Sequence, residues 1–256
     1  MRILITNDDG IQAPGIRSLV NALKPLGDIT VVAPATQQTA KGNAMTYDRE
    51  LICERYDFDS DVKAYKVYGT PRDCIYAALD VFMDEKPDLV VSGINEGANL
   101  SNCCVSSGTI GAATGAYAEG LVAIATSLDF GSEYPYDRFA PYLRDIAAWF
   151  VKQPFCHDFI LSVNLPNPKD GIVKGVTVGD YGGRQIFLSK YEVENESDGK
   201  ITLLMKGSGV SMEDIVEDLD HDMYALAQGY IVLTPLDDDV VKKDSLEFLK
   251  SYITHR

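Results

Sequence analysis

Two short apolar runs with a helical stripe between them restrict this chain more than any other feature. Arg2-Ile3-Leu4-Ile5-Thr6 and Ile29-Thr30-Val31-Val32-Ala33 read as buried strands. Between them Ile16, Leu19, Val20 and Leu23 fall at i, i+3, i+4 and i+7, one apolar face of a helix. Pro14 suits the first turn of that helix, and Pro25 with Gly27 stops it. A strand, a helix and a strand at this spacing form the unit that parallel pairing requires. An α/β fold follows.

The alternation continues. Thr70-Pro71-Arg72-Asp73 starts a helix, with a hydroxyl cap, Pro at the first position and an acid in the first turn. Its stripe is Ile75, Ala78, Leu79 and Phe82, and Asp88-Leu89-Val90-Val91 is the strand after it. A small-residue helix follows from Ile110 to about Glu119, then a strand over 121–127. Leu143, Ile146, Ala147 and Phe150 mark a further helix, and the run 159–163 closes the α/β core at about residue 165. The stretches 51–53 and 64–67 read as antiparallel insertions around a turn near Asp57 to Asp61. From 166 to 256 the texture changes to β-like runs, 172–178, 201–205 and 230–234, with a terminal helix from Ser245 to Ile253. Asp237-Asp238-Asp239 reads as a solvated loop.

Asn7-Asp8-Asp9-Gly10 stands where the first strand surfaces. At roughly 5 Å and an effective dielectric of about 20, two carboxylates repel by about 3 kcal/mol. A folded site that keeps both ionised wants a cation beside them, and oxygen ligands without His or Cys favour Mg²⁺, Mn²⁺ or Ca²⁺. A solvated Asp-Gly turn is the plain alternative. Two other loops bear on the choice: Thr39 lies beyond the second strand and Asn95 follows the strand at 88–91. In a parallel sheet all three loops share one rim, where ligands of open α/β sheets bind. Ser106-Ser107-Gly108-Thr109 precedes a helix, whose free N–H groups and dipole favour a phosphate.

Other chemistries find less support. There is no G-x-x-x-x-G-K-[ST] loop, no Gly-x-Gly-x-x-Gly after the first strand and no G-x-S-x-G elbow. His157, His221 and His255 are too scattered for a His-rich metal cluster, and His221 reads as structural or as a proton carrier. Five irregularly spaced cysteines fit a reduced, cytoplasmic protein. No apolar run approaches a membrane span, and nothing at the start resembles an export signal. A formal charge of −15 argues against gripping long nucleic acid through its phosphates. A local dication still allows a small phosphorylated substrate.

On these residues the chain resembles the SurE family of survival protein nucleotidases. The matches are Ile5-Thr6-Asn7-Asp8-Asp9-Gly10, Ala13-Pro14-Gly15, Val32-Ala33-Pro34, Gly69-Thr70-Pro71 with Asp73-Cys74, Ser92-Gly93-Ile94-Asn95 with Gly97 and Asn99, Ser107-Gly108-Thr109, and Gly229-Tyr230 with Thr234-Pro235-Leu236. They run in family order along nearly the whole chain.

The resemblance implies a Rossmann-like, mostly parallel sheet between helices, with a C-terminal β-rich arm and terminal helix that build a homodimer or homotetramer. It implies a 5′-nucleotidase acting on nucleoside monophosphates, with 3′-monophosphates and short polyphosphate as further substrates in some members. One divalent cation per subunit, Mg²⁺ or Mn²⁺ with Ca²⁺ able to replace it in a crystal, would sit on Asp8, Asp9, Thr39 and Asn95. Asp8, Asp9 and Asn95 would carry catalysis, and Asn43, Ser106, Ser107, Gly108 and Thr109 would contact phosphate. Thr39 replaces the usual Ser, Ser106 a usual Tyr, and His221-Asp222 stands for Thr-Asp. A non-catalytic nucleotide-binding regulator on the same scaffold is the rival reading.

Overall fold

The computed structural model describes residues 1–131, 136–181, 184–187, 190–206, 210–213 and 217–237. The expected terminal helix, His255, Asp238 and Asp239 lie outside the described residues. The chain runs through β1 (Arg2–Thr6), α1 (Pro14–Leu23), β2 (Asp28–Pro34), β3 (Cys53–Arg55), β4 (Lys63–Val67), α2 (Pro71–Ala77), β5 (Leu89–Glu96), α3 (Gly108–Ala118) and β6 (Ala123–Leu128). It continues through α4 (Ala140–Phe150), β7 (Ile160–Leu165), β8 (Val176–Val178), β9 (Arg184–Phe187), β10 (Lys190–Ser197), β11 (Lys200–Lys206), β12 (Val210–Glu213), α5 (Asp222–Ala227) and β13 (Ile231–Leu236).

Nine strands form one sheet in the order β3-β4-β2-β1-β5-β6-β7-β13-β8. Strands β4, β2, β1, β5, β6 and β7 are all parallel, while β13 returns antiparallel to β7 and β3 antiparallel to β4. Alternation along β1 sorts the two faces. Ile3 and Ile5 pack with Ile16 and Leu19 of α1 and Leu143 of α4. Leu4 points the other way, into a layer with Ile75 of α2 and Ala112 and Ala113 of α3. Each fully buried aliphatic side chain here contributes roughly 1.5–3 kcal/mol. Truncating one to Ala costs about 2–5 kcal/mol, because the dense core refills poorly.

Helix α2 begins as its residues require: Thr70 accepts the N–H of Asp73, and the Asp73 carboxylate accepts the N–H of Thr70. A π turn over Ala78–Phe82 extends it.

Three expectations need correction. Strand β4 is not an insertion. It pairs antiparallel with β3 but also parallel with β2, from Thr30↔Lys63 to Pro34↔Val67, because Ala64 and Val67 face the core and need the sheet. Local sequence shows the hairpin partner and hides the distant one. Asn95 does not follow its strand but lies in it: β5 runs on to Glu96 because β6 is long enough to pair Asn95↔Ser127 and Glu96↔Leu128 after a register shift. Of the run 172–178 only Val176–Val178 is a strand, since Gly175 takes a positive φ just before it.

Beyond the sheet, β10 and β11 form a hairpin paired with each other, and β9 pairs with β12. All five cysteines carry free thiols. Among the described residues no helix is long and apolar enough to cross a membrane.

Candidate metal and phosphate site

At the carboxyl ends of β1, β2 and β5 a cavity of about 210 Å³ opens, with Asp8, Gln37, Thr39, Asn95, Ser106 and Ser107 in its wall. Three chain segments far apart in sequence therefore meet. Each has its own anchor.

Asp8 is held by backbone and side chain at once. Its carbonyl accepts the N–H of Gln38 at 2.7 Å, tying the first turn to the loop that carries Thr39. Its Oδ1 accepts the Thr109 hydroxyl at 2.5 Å, and the carboxyl is only 4% exposed. Behind it lies Gly108, where an added Cβ would sit 2.8 Å from the Asp8 Oδ2. No other residue fits that contact. Burial pushes the Asp8 carboxyl above the usual carboxylate range, against the lowering effect of the Thr109 bond.

Asp9 stands beside it with Oδ2 accepting the Glu96 N–H at 3.1 Å. Burial first, then the charge of Asp8, raises the Asp9 pKa to about 6, with the Glu96 N–H opposing. Two adjacent desolvated carboxyls that resist ionisation are an arrangement a positive ion would relieve.

The loop after β2 is pinned from two sides. Asp73, 3% exposed, accepts the Thr46 N–H at 2.8 Å and the Thr46 hydroxyl at 2.7 Å, while the Thr70 hydroxyl donates to the Ala44 carbonyl at 2.7 Å. Gly42 donates to the Ser106 carbonyl at 3.0 Å, joining this loop to the turn before α3. Asn43 is exposed on it, its Oδ1 accepting from Arg72 Nη1 at 3.3 Å.

The segment 99–107 is bracketed in the same manner. Asn164 accepts the Asn99 N–H at 2.9 Å and donates to its carbonyl at 3.0 Å, and Asn99 Nδ2 donates to the Ser127 hydroxyl at 2.8 Å. Asp222, 1% exposed at the start of α5, accepts the Ser101 N–H at 2.7 Å and its hydroxyl at 3.1 Å. Ser107 caps α3 by accepting the Ile110 N–H at 3.2 Å.

The wall thus brings together Asp8, Thr39, Asn95, Ser106 and Ser107. Asp9 is turned toward Glu96, Gly108 and Thr109 back the Asp8 carboxylate, and Asn43 stands beside Arg72. Asn164, Glu96 and Phe130 were not picked out by sequence reasoning at all. Asp73 reads there only as the first-turn acid of a helix and a family match, and Asp222 only as half of the His221-Asp222 pair, not as anchors of the loops around the cavity.

No group of three or more His, Cys, Asp or Glu suited to a metal occurs among the described residues. The donors on offer are two carboxylates with neutral hydroxyl and amide oxygens, a set that fits a hard dication completed by water or substrate. It does not fit a softer ion that wants nitrogen or sulfur.

Comparison with known proteins gives a consistent result. The family model described as Survival protein SurE matches residues 3–187. The chain is 35% identical over 256 residues to the 5′-nucleotidase SurE of Nitrosomonas europaea, covering 99% of this chain and 100% of that protein. It is 36% identical over 258 residues to the same-named protein of Carboxydothermus hydrogenoformans, covering 99% and 96%. The crystal structure of the SurE protein from Aquifex aeolicus superposes with a TM-score of 0.81 at 29% identity, covering 99% of this chain and all of that one.

Proposed function

Because the chain belongs to the survival protein SurE family, we propose that it is a divalent-cation-dependent 5′-nucleotidase. It hydrolyses nucleoside 5′-monophosphates to nucleoside and phosphate, with 3′-monophosphates and short polyphosphate as further candidate substrates. The observation that carries this reading is the meeting of Asp8, Thr39 and Asn95 with Ser106 and Ser107 in one cavity.

Asp8, Asp9, Thr39 and Asn95 would hold one cation, Mg²⁺ or Mn²⁺. When bound, the ion supplies Lewis acidity to the phosphoryl group and to water. In the turn at Ser106 to Thr109 the first two N–H groups already donate to the Cys103 and Cys104 carbonyls, and those of Gly108 and Thr109 serve the Asp8 carboxylate. The Ser107 hydroxyl, which accepts the Ile110 N–H and keeps its own proton, would donate to the equatorial phosphoryl oxygens, where charge gathers in the transition state. Asn43, steadied by Arg72, offers its amide N–H to the same group. Water rather than Asp8 attacks phosphorus as the ester P–O bond breaks. The Asp8 carboxylate is boxed between the Thr109 hydroxyl and Gly108 and is poorly placed to approach phosphorus itself.

Phosphate release from the nucleoside monophosphates, with Mg²⁺, Mn²⁺ or EDTA, tests the assignment. Cation-dependent release is expected. Saturable nucleotide binding with no release under any cation would favour the regulatory reading instead.

The β10–β11 hairpin supports a homodimer or homotetramer. Tyr191, Val193, Ile201, Leu203 and Met205 alternate along its strands and are all more than half exposed, forming one apolar face. Such a face seeks cover, here from a second copy of the chain. Leu203→Glu should lower the mass seen by light scattering, and an unchanged mass contradicts that role for the arm.

A further inference from the structure

Phe130 follows β6 at the mouth of the cavity, forming part of the same wall as Asp8 and Asn95. It is 65% exposed. Its N–H donates to its neighbour Asp129 Oδ1 at 2.9 Å, and its carbonyl accepts from Asn167 Nδ2 at 3.1 Å. The ring rests on Gly97, where an added Cβ would lie 2.4 Å from its outer carbon. Gly97 also has φ +108°, so its identity is fixed twice over. The Gly97 carbonyl accepts the Asn95 amide at 2.6 Å. The seat of the ring is therefore bonded directly to a proposed cation ligand.

An isolated exposed aromatic normally needs no explanation. This one differs in being anchored at both backbone groups and in facing the cavity that holds the proposed chemistry. At about 210 Å³ the cavity is smaller than the roughly 300 Å³ at which sites for whole drug-sized ligands begin. A mononucleotide seated by its phosphate at Ser106 and Ser107 fits only in part and leaves its base at the mouth. Among the described residues that line the cavity, the flat group is Phe130.

Resting on the nucleotidase reading, we propose that Phe130 is the platform on which the substrate's nucleobase stacks, making it a specificity-determining residue for nucleotides over other phosphomonoesters. Stacking needs only a π face, so the platform accepts all bases and favours the larger purines.

The test compares kcat/KM for adenosine 5′-monophosphate with that for ribose 5-phosphate, which keeps the phosphoester and loses the base. Base–aromatic stacking of ordinary strength predicts that Phe130→Ala lowers the ratio by about 5- to 150-fold, chiefly through KM for the nucleotide. Phe130→Trp should hold the ratio at or above that of the wild type. A ratio within about twofold of wild type in Phe130→Ala overturns the proposal while leaving the nucleotidase reading intact. Wild-type protein that releases phosphate from neither substrate defeats that reading, and the proposal with it. Ribose 5-phosphate turnover in each variant also reports that the protein has folded.

Discussion

The two ends of the parallel sheet make an instructive pair, because each has a cavity and charged residues. At the amino ends of β1, β2 and β4 the cavity is the larger, about 470 Å³, and Arg2, Asp28, Asp61 and Lys63 line it. Arg2 there pairs with Glu85 and Asp88, whose carboxylate also accepts the Arg2 N–H at 2.7 Å. Both carboxylates are solvated, and the N–H of Arg2 holds Asp88 below the usual carboxylate range. At the carboxyl ends the cavity is less than half that size, yet the Asp8 carboxyl in its wall and the neighbouring Asp9 are desolvated and raised in pKa. Space does not distinguish the two. Unrelieved charge does. A fold tolerates such charge where a ligand is meant to relieve it, which supports the proposal that the carboxyl end is the working rim.

That contrast can be broken by substitution. The largest effect belongs to Asp8→Asn, expected to lower kcat/KM at least about a thousandfold as one ligand and its charge are lost. Arg2→Ala at the other end should leave it within about twofold. Similar losses from both variants would erase the distinction between the rims.

Next comes Asp222→Ala, which strands the Ser101 donors in a dry site. It should cost about 2–3 kcal/mol in chemical denaturation and lower kcat by loosening the segment behind Ser106 and Ser107. Denaturation unchanged from wild type would show that the bracket does not hold the wall.

A smaller effect concerns protons. Folded Asp9 keeps its proton up to about pH 6, against an ordinary 3.8, so between those values the native state binds more protons than the unfolded one. Stability of the cation-free protein, measured as wild type minus Asp9→Asn, should then fall as pH rises from about 4 to 6, by up to about 2 kcal/mol. Saturating Mn²⁺ should reverse that trend. A difference that rises with pH in the cation-free protein would contradict the desolvated pair.

Smallest is Asp88→Asn. The Asp88 carboxylate has a folded pKa below its unfolded one, so its contribution is present above the unfolded value and lost as pH falls through the folded one. Solvent screens the pair, and the change should stay under about 1 kcal/mol at neutral pH. A larger loss would mean that the two ends are less different than they look.

Much of this was legible from spacing. The unit formed by β1, α1 and β2 announces itself through a strand period, a helical period and then another strand, and parallel strands carry their following loops to one rim. Asp8, Thr39 and Asn95 each lie on or just beyond such a strand end. What spacing could not give is the set of anchors. Asp222 reaches Ser101 across 121 positions and Asn164 reaches Asn99 across 65, contacts with no local signature. Strand β4 was misjudged for the same reason, since its hairpin with β3 is local and its bond to β2 is not. Phe130 carries no signal in the sequence, and only the folded cavity gives it a wall to belong to.

The central claim is that side-chain oxygens from separate turns hold one hard dication at the carboxyl rim. Anomalous diffraction from crystals grown with Mn²⁺ addresses it without reference to activity. The account predicts a single strong peak per subunit within bonding reach of Asp8, Asp9, Thr39 and Asn95, lost in Asp8→Asn. Crystals with no density among those residues, or with manganese bound only at the Arg2 end, would contradict it.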